Sequence, residues 1–365
     1  TNPLQMSAAY AAFARGGYYI KPYGYTKAID INEEKTYENK YTKNKVMSEE
    51  TAYMITSILQ TAQKNGVGGK INVSGTDIAA KGGTTNLDSK TEKQKGLPGG
   101  VTPDHWNITY SPDYCISMWI GYDTVTKEYY LTSSRGGTIR KNIMGTIGSK
   151  IYKKNSKFTK PKGIVSIEVE KETFPPQLPS EYTPSNMRIT ELFKKGTEPS
   201  EVSTRYSKLD TPTNGNYTFD GSNIKLTWNT INTPDAINTT VLQDHFNKYY
   251  YNHASAYYQK RISYNNGNIG TLGYQIYLKD SNGNLQSLGF TNNNSFTYRA
   301  DASLSNYTFV IKSAYSIFKS NMSNGLTINV SVKIDSNVEE IIKPESDQNT
   351  NIDIPTNSET TTDIN

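Results

Sequence analysis

The chain has 365 residues, enough for two domains with connectors. Its net charge of +5 is spread over the sequence, and its one cysteine and three scattered histidines match no metal-ligand spacing. These features argue against a nucleic-acid protein, a Cys/His metal centre and an internal disulfide, and no apolar run reaches the roughly 18 residues of a membrane span.

Residues 1–17, TNPLQMSAAYAAFARGG, predict a helix. Thr1 or Asn2 caps it, Pro3 suits its first turn, and Leu4, Ala8, Ala11 and Ala12 share one face before Gly16-Gly17 stops it. The opening has no signal-peptide pattern and reads as the interior of a helical domain, so the chain is expected to be a fragment. YYIKPYGYTKAID reads as strand and turn, interrupted by Pro22. Ser48, Glu49 and Glu50 then open a second helix that ends at Gly66, with Ala52, Ile55, Ile58, Leu59 and Ala62 as its apolar face.

From residue 77 the pattern turns to strands: DIAAKGGTT, HWNITYSP and YCISMWIGYD. The polar stretch TNLDSKTEKQKGLPGGVTP between the first two reads as a mobile loop. NIMGTIGSKIYKK reads as a closing helix, and the basic run from Lys150 to Lys160 as a solvated surface. Residues 1–157 are therefore an α+β half-domain, expected to pack poorly in isolation. Residues 158–204, with FPPQLPSEYTPS, read as a Pro-rich linker. Residues 205–335 show SNIKLTWNT, LGYQIYLKD, LQSLGFT, SFTYRA, YTFVIKSAY and LTINVSVKI, alternating apolar and polar positions as in an all-β sandwich. A Tyr- and Asn-rich insertion of undetermined structure interrupts this at 234–268, and 336–365 read as a disordered tail.

The chemistry turns on IAAKGGTTN at 78–86. Alone, two glycines between strands mean a turn or bulge. Taken in order, NPLQMSAAYAAFARGG, TAYMITSILQ, AAKGGTT, DHWNITYSP, MWIGYD and, at 189–200, ITELFKKGTEPS resemble the C-terminal part of class A penicillin-binding proteins. That resemblance covers about residues 1–200. It implies an incomplete penicillin-binding/β-lactamase-like transpeptidase domain, an antiparallel sheet with helices. The following all-β sandwich resembles a fibronectin type III module, with Trp228 as its buried strand tryptophan.

Members of this family cross-link peptidoglycan through an acyl-enzyme, using S-x-x-K, S-x-N and K-T-G motifs. The resemblance implies that Lys81 and Thr84 are catalytic. Lys81 would supply charge to the S-x-N serine and the substrate carboxylate, and Thr84 a hydroxyl for that carboxylate and an N–H for the oxyanion. Gly83 would admit the substrate backbone, Thr85 would orient its neighbour, and Gly82 lies on the substrate-binding strand. It further implies stem peptides of nascent glycan strands or lipid II as substrates, β-lactams as ligands, and no cofactor, metal or nucleic acid. The parent would carry a glycosyltransferase domain and one N-terminal membrane anchor, and would act on the outer face of the cytoplasmic membrane.

The sequence departs from the family pattern at Gly82, where a Thr or Ser is usual, and at Ala80, Asn107 and Thr109. A hydroxyl lost at 82 removes a hydrogen bond of roughly 0.5–1.5 kcal/mol. Chance S-x-x-K matches at Ser222 and Ser316, and S-x-N at Ser263, follow the lysine motif instead of preceding it, so the nucleophile is expected upstream of this chain. Asp104 is read as a turn cap, and Trp106, Trp119 and Tyr122 as strand core. Two other readings stand beside the first: a degenerate, non-catalytic transpeptidase scaffold, and a secreted adhesion or glycan-binding protein. In the latter NKYYYNHASAYY at 247–258 would stack on sugars, against the plainer reading of tyrosines packed on the sandwich.

Overall fold

The computed structural model describes residues 1–333, which form two compact units. The first comprises 1–179 and 185–202, and the second 180–184 with the residues from 203 onward. The tail expected to be disordered, 336–365, lies outside the described residues.

The first unit opens with α1 (Pro3–Ala14), whose N-cap Asn2 accepts from the Gln5 N–H. Ala8, Ala11 and Ala12 are buried, while Leu4, placed on that face by its spacing, is 64% exposed. Two small antiparallel pairs follow: β1 (Tyr18–Ile20) with β4 (Lys43–Lys45), and between them β2 (Lys27–Asp30) with β3 (Lys35–Glu38). Helix α2 (Glu49–Lys64) begins on Ser48, which accepts from Thr51 N–H. Its buried positions are Ala52, Thr56 and Leu59, one turn apart, whereas Ile58 is 68% exposed. Thr56 tolerates burial because its hydroxyl meets that of Tyr110 at 3.0 Å.

The central sheet consists of β5 (Ala79–Thr84), β6 (Asp104–Tyr110) and β7 (Cys115–Gly121), antiparallel in chain order, with β5 at one edge. Between β5 and β6, the stretch expected as a mobile loop contains α3 (Ser89–Gln94). Asp88 caps it, and the buried Glu92 carboxylate accepts from Val101 N–H at 2.9 Å. The sheet has two differently packed faces, because alternate strand residues point to opposite sides. On one, Ala79 and Tyr110 pack with Leu59, Tyr10, Phe13 and Ile55 from α1 and α2. On the other lies α4 (Ser133–Ile151), with Tyr152 hydrogen-bonded to Thr109 at 2.6 Å.

Helix α4 starts nine residues before the expected NIMGTIGSKIYKK. Thr132 caps it by accepting from Arg135 N–H, and Gly136 permits a close approach: a Cβ there would stand 2.2 Å from Nε2 of His105. Residues 158–204 are more than a linker. They carry β8 (Ile164–Glu170) and β9 (Arg188–Lys194), antiparallel from Ile164↔Lys194 to Glu170↔Arg188. Pro175, Pro176, Pro179 and Pro184 fall in the connection between these strands, where no ladder N–H is needed.

The second unit has two antiparallel sheets. One contains β10 (Thr213–Phe219), β11 (Asn223–Asn229) and β14 (Ser295–Arg299). The other has the order β13 (Leu285–Thr291), β12 (Leu272–Lys279), β15 (Asn306–Tyr315), β16 (Leu326–Ser331). Ile224, Leu226 and Trp228 of the first sheet share one core with Ile276, Phe309, Ile311 and Ile328 of the second. Strand β10 escapes the sequence reading because TNGNYTF is almost wholly polar and exposed, as an edge strand permits. The insertion at 234–268 forms α5 (Thr239–Tyr250) and α6 (Ala254–Tyr264). Among the described residues, no helix is long and apolar enough to cross a membrane.

Candidate active site

Strand β5 carries the whole Lys-Gly-Gly-Thr motif, so the motif is a strand and not a turn. Alternation puts Ala79, Lys81 and Gly83 on the face toward α1 and α2, and Ala80, Gly82 and Thr84 toward α4. Lys81 is exposed, and its Nζ donates to the carbonyl of Gly82 at 2.6 Å. Gly83 lies opposite Trp106, and a Cβ at 83 would sit 3.3 Å from the Trp106 Cβ. The Thr84 hydroxyl accepts from Arg140 Nη1 at 3.2 Å.

Thr85, just past the strand, points elsewhere. Its hydroxyl donates to Asp104 Oδ2 at 2.7 Å and accepts from Asp104 N–H at 3.2 Å. Asp104 Oδ1 in turn accepts from the Trp119 indole at 2.8 Å. Asp104 therefore ties β5, β6 and β7 together at one end of the sheet, beyond the turn-capping role its sequence position suggests.

Sequence reasoning did not single out Arg140. On α4, its Nη1 donates to Gly83 O at 2.6 Å and Trp106 O at 2.8 Å, besides Thr84. Burial lowers its pKa from the ordinary arginine value. A signal was available: positions 136, 140, 144 and 148 are one helical face, and Gly136, Met144 and Gly148 on it are buried. A lone arginine in such a stripe must reach acceptors.

Behind Gly82 the layer between sheet and helix is polar. Asn107, paired with Gly82 across the strands, is fully buried with neither amide atom hydrogen-bonded to protein. Thr102 Oγ1 donates to Leu131 O at 3.3 Å, which leaves it to accept from His105 Nε2–H at 2.6 Å. The bare nitrogen is then Nδ1, buried without a partner. Burial first, and the Arg140 charge second, lower the pKa of His105 and keep the ring neutral. Cys115 is pushed up to about 12 by burial and is an inert thiol at neutral pH.

The three serine matches, Ser222, Ser263 and Ser316, all belong to the second unit. Ser263 lies within α6, and Ser316 Oγ accepts from Thr271 N–H at 2.9 Å. The tyrosine-rich stretch at 247–258 packs its rings on each other and on α5. Tyr250 lies 5.1 Å from Phe246 and 4.7 Å from Tyr257 between centroids, and only Tyr251 is strongly exposed, at 83%. No cluster of three His, Cys, Asp or Glu side chains gathers among the described residues.

Two family descriptions match the chain between residues 1 and 208. The family described as penicillin binding protein transpeptidase domain matches residues 1–147, and the penicillin-binding protein 1A C-terminal domain matches residues 160–208. Penicillin-binding protein 1A/1B of Bacillus subtilis is 33% identical over 235 residues, covering 62% of this chain and 26% of that protein. Penicillin-binding protein 1A of Clostridium tetani is 32% identical over 210 residues, covering 55% of this chain and 24% of that protein. The chain thus spans about a quarter of the length of these relatives. Among solved structures, the penicillin G acyl-enzyme complex of penicillin-binding protein A from M. tuberculosis aligns with a TM-score of 0.31 and 16% identity, over 42% of this chain and 32% of that one. The transpeptidase-domain match is followed along the chain by the penicillin-binding protein 1A C-terminal match, and residues 1–208 are thus similar to the C-terminal part of class A penicillin-binding proteins.

Proposed function

We propose that this chain is the C-terminal part of a serine-type D-Ala-D-Ala transpeptidase that cross-links peptidoglycan and is acylated by β-lactams. The observation that carries the reading is the placement of Lys81-Gly82-Gly83-Thr84 on the edge strand of the sheet, within the segment matching the transpeptidase family. An edge strand is where an extended stem peptide adds alongside. In this reading Gly83 admits the peptide backbone, Thr84 binds its terminal carboxylate and offers an N–H to the oxyanion, and Lys81 supplies positive charge. Gly82 borders the carboxylate subsite, and Thr85 orients the strand end through Asp104.

The nucleophilic serine and its S-x-x-K lysine belong to a preceding segment of the parent. The serine Oγ bonds to the penultimate D-Ala carbonyl carbon, and the bond to the terminal D-Ala nitrogen breaks, with a proton passing to that leaving amine. An amine of a neighbouring strand then attacks the ester carbonyl, and the serine oxygen regains a proton as it leaves. The exposed apolar side chains of Leu4 and Ile58 suit coverage by that preceding segment.

The parent is further proposed to carry a glycosyltransferase domain and a single membrane anchor, with the catalytic part on the outer face of the cytoplasmic membrane. Residues 1–157 are the end of its transpeptidase domain, 158–204 the connecting segment, and 205–335 a fibronectin type III-like module bearing the 234–268 insertion. The paired three- and four-stranded antiparallel sheets support that module. Labelled penicillin on the full-length protein tests the function. A covalent band well above 40.8 kDa supports it. Full-length protein without a band overturns it and favours a non-catalytic scaffold, for which the missing hydroxyl at Gly82 is the observation.

A further inference from the structure

The face of β5 that Gly82 leaves bare is met by a guanidinium. A Cβ at position 82 would stand 3.3 Å from Arg140 Nη2 and 3.4 Å from Val67 Cγ1. Nη1 of the same group is fixed by Gly83 O, Trp106 O and Thr84 Oγ1, so the plane of the guanidinium is set before anything binds. Nη2 makes no hydrogen bond among the described residues, and it is not among the nitrogens sealed from solvent. No carboxylate pairs with Arg140 among the described residues.

A partly desolvated cation with no internal counter-ion favours an anion at its open donor. Thr84 completes the arrangement. Its oxygen already accepts from Nη1, which leaves the hydroxyl proton for an outside acceptor. We infer that Arg140 Nη2, together with the Thr84 hydroxyl, forms the subsite for the terminal carboxylate of a peptide or β-lactam lying along β5, in the space that a side chain at Gly82 would fill. The inference rests on the transpeptidase reading for what the ligand is, and on the geometry alone for the anion subsite. Arg140 is then a specificity-determining residue, and the loss of a hydroxyl at 82 is offset by a charged donor on α4.

The test compares acids with their neutral counterparts on the full-length protein. Two variants are needed. Arg140→Gln removes the charge but also the clasp on Gly83 and Trp106. Gly82→Asp leaves the clasp in place and occupies Nη2 with an internal carboxylate. Both are expected to slow acylation by penicillin G about 10- to 100-fold, the range for a hydrogen bond to a charged group, and to spare acylation by its methyl ester. Saturation-transfer NMR with N-acetyl-D-alanyl-D-alanine and its C-terminal amide gives a readout independent of acylation: the unaltered protein prefers the acid, and both variants lose the preference. Absence of acylation with the acid preference intact and Arg140-dependent sinks the transpeptidase reading and leaves the subsite standing. Equal binding of acid and amide by the unaltered protein, or a preference that survives both substitutions, overturns the subsite whatever acylation does.

Discussion

Thr85 and Asp104 hold each other twice, the threonine hydroxyl donating to Oδ2 at 2.7 Å and accepting from the aspartate N–H at 3.2 Å. With Trp119 on Oδ1, the carboxylate is a three-strand clasp. Asp104→Ala removes both side-chain bonds and is expected to destabilise the protein by about 1–3 kcal/mol, read as a lower urea midpoint. Thr85→Val likewise removes two bonds, the one donated to Oδ2 and the one accepted from the Asp104 N–H, but keeps the Trp119 bond to Oδ1. Because Thr85 acts through Asp104, Thr85→Val is expected to lower stability while changing acylation little. A large fall in acylation at unchanged stability would make Thr85 a substrate contact instead.

The contact between Gly136 and His105 predicts a second effect. A methyl at 136 falls 2.2 Å from Nε2 of a ring that is fully buried and bonded to Thr102. Neither helix nor ring has room to yield, so Gly136→Ala costs about 1–3 kcal/mol despite the better helix propensity of alanine. His105→Ala opens the space. In that background the cost of Gly136→Ala shrinks, and the two changes fail to add. Additive urea midpoints would refute the contact.

These two contacts show where the sequence could and could not be read. Local signals gave α1 and α2, because Asn2, Pro3, Ser48 and the glycines that follow act within a turn of their own positions. Alternation gave β5, β6 and β7, since one residue in two must face a core. The first half of α4 was hidden: SSRGG reads as a breaker, and only the His105 ring explains why glycine belongs inside that helix. α5 and α6 were hidden because tyrosine and asparagine favour no helix, and burial of Phe246 and Leu242 decides instead. The candidate strand was legible as Lys81 to Thr84. Its partner Arg140 was not, because it lies 57 residues beyond Gly83, in a helix whose facing is set by the tertiary structure.

His105 gives a pH dependence. Its pKa is lowered in the folded protein, so between that value and the unfolded value of about 6.5 the unfolded chain binds the extra proton. Stability therefore falls as pH drops below about 6.5, and this loss levels off below the folded pKa. Glutamine at 105 preserves a partner for Thr102 and does not titrate. Urea midpoints measured between pH 7.5 and pH 5, a span chosen to bracket about 6.5, are expected to decline less for His105→Gln than for the unaltered protein. Parallel declines would place the acid sensitivity in other groups.

Lys81 separates chemistry from folding most cleanly. Its side chain is exposed, and its hydrogen bond goes to the carbonyl of the next residue, so no other element depends on it. Lys81→Ala in the full-length protein is therefore expected to leave the urea midpoint within about 0.5 kcal/mol of the starting value, as for surface changes generally. Acylation is a different matter. If the lysine charge serves the serine and the approaching carboxylate, its removal eliminates the labelled-penicillin band, because a transition state that gathers negative charge beside β5 loses its nearest mobile cation. A folded variant without a band supports that role. A folded variant that still labels at the original rate would show that Lys81 is a surface residue on a strand whose chemistry, if any, runs through Thr84 and Arg140.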